Sequence, residues 1–398
     1  MKLSVVIVNY NVKYYVDQCL RSVLRAFAAM QSAEQSGEAG DMAAEVIVVD
    51  NHSSDGSVEY LQQRYPKSEY PMVRIVSSMH NLGFARGNNI AIRQSQSDYV
   101  LLLNPDTIVG EQVLLECVRF MDSHADAGAV GVHMQNASGK TAMESRRGLP
   151  SPMVAFYKMM GLTARFPRSR FFGHYYMGFL PWDEPGQIEV VSGAFCMVRR
   201  EALNQVGLLD EDFFMYGEDI DLSYRILKGG YHNYYLPLRI CHYKGESTEK
   251  SSFRYVHVFY EAMLIFFRKH YSGMSVLLSL PIKLAIYAKA SVALVRMLSD
   301  RMRKSLGFYT KNEQRQPVYV FQGSTEMRQA CGEIANRLGL DVQQQWDGKS
   351  RCCRVFDADA MSYEEMLTLM SQLNDERVGL GTYSKEMGVI ITENEVMV

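Results

Sequence analysis

The first 130 residues alternate two kinds of hydrophobic pattern. Leu3–Val8, Val46–Val49, Val73–Val76 and Tyr99–Leu103 are short β-branched or leucine-rich runs without polar alternation. Such runs predict strands buried on both faces of a parallel sheet. Between them, apolar residues recur every three or four positions. Val16, Leu20, Val23, Leu24 and Phe27 do so, as do Val113, Leu114, Val118 and Met121. That spacing predicts helices with one buried face. Strand–helix–strand alternation predicts an α/β domain with helices on both sides of the sheet. Gln31–Ala44 reads as a helix extension followed by a loop.

The pattern changes beyond residue 130. Val130–Met134, Val190–Val198 and Leu236–Cys241 read as strands, and Phe253–Tyr271 as a helix with Phe259, Met263, Phe266 and Phe267 on one side. Ser151–Trp182 is rich in aromatics and arginines and has no period. It predicts a loop-and-helix region over a site. Ser275–Leu298 is the most hydrophobic stretch, interrupted by Pro281, Lys283, Lys289 and Arg296. On a helix its three cations share an arc of roughly 140°. A basic amphipathic helix suits an anionic membrane surface, and the same pattern also suits a helix packed in a core. Beyond Gln314-Arg315-Gln316-Pro317 lies a small α/β pattern. Val318–Phe321, Arg354–Phe356 and Val389–Thr392 read as strands there, and Met327–Leu338 and Tyr363–Leu373 as helices. The division expected is therefore residues 1–250, a helical segment 251–312, and a module 313–398.

Composition narrows the function classes. The 398 residues carry 42 basic against 44 acidic side chains. That balance argues against binding nucleic acid through overall basicity. Seven scattered cysteines form no C-x-x-C, so a disulfide framework or structural zinc is not expected and a reducing compartment is. Met1-Lys2-Leu3 runs straight into the first strand pattern with no secretory apolar region, which predicts a cytoplasmic protein.

Chemistry is sought at the carboxyl ends of the strands, where open parallel sheets bind ligands. Four polar loops fall there: Asn9-Tyr10-Asn11, Asp50–Gly56, His80–Asn89 and Asn104-Pro105-Asp106. The first loop lacks the glycines of a dinucleotide site, and no P-loop occurs, which counts against an NAD-type oxidoreductase and a kinase. The Tyr10 ring could stack on a nucleobase. Asp50 could accept a nucleobase N–H or simply hold an Asx-turn. Asp106 could bind a hard cation or close a proline turn. Glu218-Asp219 opens a helix pattern, where acidic residues favour the N-terminus or one serves as general base. Asp221 and Arg225 form an i,i+4 pair. His242 is a usable metal ligand or a structural histidine. Arg146, Arg147, Arg165, Arg168 and Arg170 are candidates for an acceptor phosphate, or a solvated face.

The motifs occur in the order V-V-I-V-N-Y-N, V-V-D-N-x-S-x-D-G-S, N-x-G-F-A-R-G-N-N, L-L-N-P-D-T, S-G-A-F-x-M-V-R-R-E, Y-G-E-D-I-D-L-S-Y-R and H-Y-K-G-E-S-T. Together they resemble the family-2 inverting glycosyltransferases of GT-A fold, and within them the bacterial rhamnosyltransferase-like branch, over roughly residues 3–271. The resemblance implies a nucleoside-diphosphate sugar as donor, such as dTDP-rhamnose or a UDP-sugar. It implies cell-surface polysaccharide synthesis, for which a lipid-linked saccharide acceptor is expected, and the basic helix after residue 275 would bring the site to the inner membrane face. It also implies roles. Tyr10 and Asp50, with Asn11 in the same loop group, would hold the nucleotide. Arg86 and Asn89 would lie near nucleotide and donor sugar. Asp106 matches the last acidic position of the D-x-D metal motif, whose first position is Asn104. Asp219, beside Glu218, matches the catalytic base. His242 matches a histidine that completes the metal site or contacts the diphosphate. Ser192-Gly193-Ala194 matches a turn on the acceptor side. With Asn104 in place of an aspartate, the cation expected is Mg²⁺ or Mn²⁺. A non-catalytic scaffold built on a degenerate transferase domain is the other reading.

Overall fold

The computed structural model describes residues 1–243, 253–271, 299, 302 and 317–398. Its first hundred or so residues form β1 (Leu3–Asn9), α1 (Lys13–Gln35), β2 (Ala44–Asp50), α2 (Ser57–Arg64), β3 (Val73–Ser77), α3 (Gly83–Gln94) and β4 (Tyr99–Leu103). There follow β5 (Thr107–Val109), α4 (Val113–Ser123), β6 (Ala127–Gln135), α5 (Pro152–Met159), α6 (Leu162–Arg165), β7 (Gly186–Ile188) and β8 (Phe195–Arg199). Then come α7 (Arg200–Val206), α8 (Glu218–Lys228), β9 (His232–His242) and α9 (Phe253–His270).

These strands make one sheet in the order β3-β2-β1-β4-β8-β6-β9-β5, with β7 on β9. The first four are parallel, so the four polar loops do share one edge. The sheet as a whole is mixed, because β8 runs antiparallel to β4 and to β6. The predicted strand over Val190–Val198 begins later, at Phe195. Ser192-Gly193-Ala194 forms a turn closed by the Phe195 N–H on the Ser192 carbonyl. Apolar side chains cover both faces of the sheet. Leu3, Val5 and Ile7 of β1 face the side holding α1 and α4, and Val6 and Val8 face the side holding α3 and α8. The alternation of a strand's side chains accounts for this division.

Helix α1 is buried on more than one side. Val16, Leu20, Val23 and Phe27 pack under the sheet. Its other side meets a second sheet formed by β10 (Val318–Gln322), α10 (Thr325–Leu338), β11 (Cys352–Asp357), α11 (Tyr363–Leu373), β12 (Val378–Ser384), β13 (Val389–Thr392) and β14 (Val396–Met397). Strand order is β10-β11-β12-β13-β14, the first three parallel. Val12, Tyr15, Ile108, Cys241 and Tyr243 of the first unit share a core with Phe356, Tyr363, Met366, Leu367 and Met370 of the second. Arg21 of α1 pairs with Asp359 at 2.6 Å, and Arg25 donates to the Met361 carbonyl at 3.1 Å. Glu111 accepts from the Tyr363 and Glu364 N–H groups, both at 2.9 Å, at the start of α11. This satisfies donors that a helix N-terminus leaves open. Strand β12 escaped the sequence reading because Gly379 and Gly381 dilute its apolar pattern. A Cβ at Gly381 would sit 3.0 Å from Cys353 Sγ and Val355 Cγ2, a tight contact that would push those side chains.

All seven cysteines are free and buried. The stretch 275–298 lies outside the described residues. Among those described, no helix is long and apolar enough to cross a membrane.

Candidate active site

A cleft of about 440 Å³ opens at the carboxyl ends of β1 and β4, between their loops and the turns before β8 and α8. That size lies within the usual range of small-molecule sites. Tyr10, Asn51, Asn104, Asp106 and His242 line it, as do Ser192, Gly193, Ala194, Glu218 and Asp219. Two strand registers bring these distant segments together. Leu103 pairs with Phe195, and the Asn104 N–H donates to the Ala194 carbonyl at 3.0 Å. Asn104 therefore lies beside Ser192-Gly193-Ala194. On the other side Thr107 pairs with His242, and the Tyr243 N–H donates to the Asp106 carbonyl at 3.0 Å. This register puts the histidine against Asp106.

Asp106 Oδ1 lies 3.2 Å from His242 Nε2, and the Asn104 side-chain amide lies 3.1 Å from the same nitrogen. Asp106 and His242 are both largely buried. Turning the Asn104 amide presents its oxygen instead of its nitrogen. The set then becomes carboxylate oxygen, imidazole nitrogen and amide oxygen. Donor atoms on one divalent ion lie about 3 Å apart, so the chemistry and spacing of this set fit Mg²⁺ or Mn²⁺. Among the described residues, no group of three His, Cys, Asp or Glu side chains forms a closed metal cage.

The opposite wall is organised by α8. Tyr216 and Gly217 both have left-handed backbones, at φ 68° and 87°, and turn the chain sharply into the helix. A Cβ at Gly217 would come within 2.9 Å of the Phe213 ring. Non-glycine residues held in that region carry strain, which gathers at functional sites. The turn sets Glu218 and Asp219 at the helix start. Asp219 Oδ2 accepts the Gly193 N–H at 3.1 Å and the Arg147 guanidinium, and Oδ1 accepts the Ile220 N–H at 2.8 Å. Glu218 is buried, and its Oε2 has no hydrogen-bond partner. Burial, and then the charge of Asp219, push its carboxyl up to about 8. Near neutral pH Glu218 is therefore a neutral acid. The Asp221–Arg225 pair forms at 2.7 Å, and Asp221 also holds His270 of α9 at 2.6 Å.

Other sequence candidates stand off from the cleft lining. Asp50 is buried, and it accepts from the Asn9 amide at 2.8 Å and the Ser53 N–H at 2.9 Å. Asn11 caps the neighbouring turn by accepting the Ser54 N–H at 2.7 Å. Asn89 is buried against the Leu209 carbonyl and Glu211. Arg86 is exposed and reaches Glu211 at 3.5 Å. Arg146 is fully buried, stacked 3.4 Å from the Trp182 ring. Residues 80–84 contribute through backbone shape. Gly83 has φ 81°, and a Cβ there would meet the Phe214 carbonyl at 2.4 Å. The cleft also takes in Arg147, Lys158, Tyr175 and Tyr176. Of these the sequence reading singled out only Arg147. The sole signal for the others was the density of aromatics in 151–182.

The family model for "Glycosyl transferase family 2" matches residues 4–207. The chain belongs to glycosyl transferase family 2. It is 30% identical, over 57% of its length and 76% of the relative's, to an N-acetylglucosaminyl-diphospho-decaprenol L-rhamnosyltransferase of Mycobacterium tuberculosis. It is 26% identical to the rhamnosyltransferase WbbL of Escherichia coli, over 44% of this chain and 66% of the relative. The S. aureus TarS 1–349 crystal structure superposes with a TM-score of 0.41 at 17% identity, over 67% of this chain and 66% of that one. This family-2 chain is a glycosyltransferase with the α/β architecture expected of it. Its rhamnosyltransferase-like motifs agree with both relatives.

Proposed function

We propose that the protein transfers a sugar, with inversion and with help from a divalent cation, from a nucleoside-diphosphate sugar to a lipid-linked saccharide in cell-surface glycan synthesis. The observation that carries this reading is the cleft itself. A carboxylate at a helix N-terminus lines one wall, and a carboxylate–imidazole–amide set lines another. The diphospho-decaprenol in a relative's name supports a lipid-linked acceptor. Rhamnosyl relatives support dTDP-rhamnose as donor, with a UDP-sugar the other candidate.

Asp219 accepts the acceptor hydroxyl proton as that oxygen attacks the anomeric carbon. The Gly193 N–H and Arg147 hold its carboxylate in place meanwhile. Protonated Glu218 stays neutral beside it, so the two charges do not repel. Asp106, His242 and Asn104 would hold the cation, which would supply positive charge to stabilise a departing diphosphate. Tyr10, more than a third exposed at the cleft edge, offers its ring face to the nucleobase. Asp50 acts on that loop by tying Asn9 to Ser53.

The test is a thermal-shift panel of nucleotides with Mn²⁺ or Mg²⁺, run beside transfer assays on Asp219→Asn. General-base loss lowers turnover by about 10²- to 10⁴-fold. The variant should keep the wild-type nucleotide shift. Near-normal turnover would remove Asp219 from its role. A panel with no nucleotide shift would point to the scaffold reading.

A further inference from the structure

The segment over the cleft combines exposed cations and exposed aromatics. Residues 151–182 carry Lys158, Arg165, Arg168 and Arg170 and no Asp or Glu, in a chain of net charge −2. Large apolar side chains stand exposed on it: Met153 at 52%, Phe156 at 44%, Met160 at 60%, Phe166 at 48% and Phe171 at 63%. The aromatic ones are contiguous. Centroids run Phe156–Tyr157 6.1 Å, Tyr157–Phe171 5.0 Å, Phe171–Phe172 5.3 Å and Phe172–Phe166 5.6 Å. Single exposed apolar residues are ordinary, whereas a connected patch marks an interaction surface. Arg165, Arg168 and Arg170 are exposed along the same segment. The patch continues into the cleft, because Lys158 lies 3.5 Å over the Tyr175 ring and both line the cleft wall.

We infer that this face docks on an anionic lipid bilayer, and that the acceptor reaches the cleft directly from it. The inference rests on the reading of a lipid-linked acceptor. Apolar rings insert at the headgroup–acyl boundary while arginines meet lipid phosphates. A protein partner of ordinary surface would have to match three exposed arginines set among exposed phenylalanines. An anionic bilayer supplies both halves of that match at once.

The test is co-sedimentation of the full chain with phosphatidylcholine vesicles, with and without phosphatidylglycerol. Wild type should pellet with the anionic vesicles, and less so in high salt. Phe156→Ser/Phe166→Ser/Phe171→Ser and, separately, Arg165→Glu/Arg168→Glu/Arg170→Glu should each lower the bound fraction at least fivefold. Both variants should keep the wild-type thermal shift with nucleotide and Mn²⁺. That shift reports the donor site independently, so a failed docking surface and a failed transferase reading are distinguishable. Binding undiminished in both variants would overturn the inference and move the contact elsewhere, for instance to 275–298. Absence of wild-type binding to either vesicle would also overturn it. So would a wild-type dimer in light scattering that the phenylalanine variant dissolves without any vesicle binding.

Discussion

Two side chains illustrate how position, rather than residue type, sets a role. Glu218 and Asp219 are chain neighbours, yet one is buried with its Oε2 unpartnered and the other accepts three donors. The raised carboxyl of Glu218 has a consequence for stability. Its folded-state value of about 8 lies above the ordinary 4.5. Stability from keeping it neutral is full below the ordinary value and is lost as pH rises through about 8. Glu218→Gln should therefore gain on wild type in melting temperature as pH rises from 5 to 9. A difference that stays flat with pH would remove the neutral-acid assignment. Arg147 and Asp219 are both largely buried, so breaking their pair leaves an uncompensated charge. Arg147→Met should cost roughly 3 kcal/mol in chemical denaturation. Adding Asp219→Asn should recover much of that loss, because the orphaned charge is gone.

At the scale of elements, the unpatterned segment 151–182 is held by specific ties. His174 Nε2 lies 3.0 Å from Glu189 Oε2, and the Leu149 N–H donates to the same oxygen at 2.5 Å. The hydrogen bond to Glu189 raises the His174 value, and that same partnership lowers Glu189 against its burial. The histidine's contribution is full below its ordinary 6.5 and is lost as pH rises through its raised value. The carboxylate's contribution is full above its ordinary 4.5 and is lost as pH falls through its lowered value. The tie is therefore strongest between those limits. Melting curves should show His174→Ala destabilising the protein more at pH 6 than at pH 8.5. An equal loss at both would mean the tie is not ionic. Helix α8 shows the same logic of convergent ties. Arg225 donates to the Val206 and Leu208 carbonyls while pairing with Asp221, and His270 joins the same carboxylate from α9. The helix carrying Glu218 and Asp219 is thereby braced from two sides.

Across the whole molecule, the second sheet backs the end of the cleft that holds Asp106 and His242. Tyr243 follows His242 directly, and its buried ring packs edge-on against Tyr15 at 5.8 Å. That pair belongs to the core shared with α11. A charge placed there has no partner and should cost several kcal/mol. Leu367→Asp should lower the melting temperature of the full chain and weaken the Mn²⁺-dependent shift, since the strand bearing His242 loses its backing. If the Mn²⁺ shift survived unchanged, the second sheet would be energetically separate from the site.

Much of this was legible in the linear chain. Apolar runs without alternation marked β1 to β4, and parallel strands oblige their following loops to share an edge. Tyr10, Asn104 and Asp106 were found by that rule alone. Their spacing follows from local geometry that each segment specifies for itself. What the chain could not disclose is pairing across distance. The β5–β9 register brings His242 to Asp106, and the Gly193 N–H holds the Asp219 carboxylate. Neither leaves a periodic trace. Asp50, Asn89 and Arg146 have the composition of ligand-binding residues, and burial assigns them to hydrogen bonds and stacking within the protein. Sequence determined the elements and the polar edge, because hydrophobic period and turn chemistry are local. Tertiary structure decided which polar groups face the cleft and which are satisfied internally, because desolvation and partner choice depend on neighbours that only folding supplies.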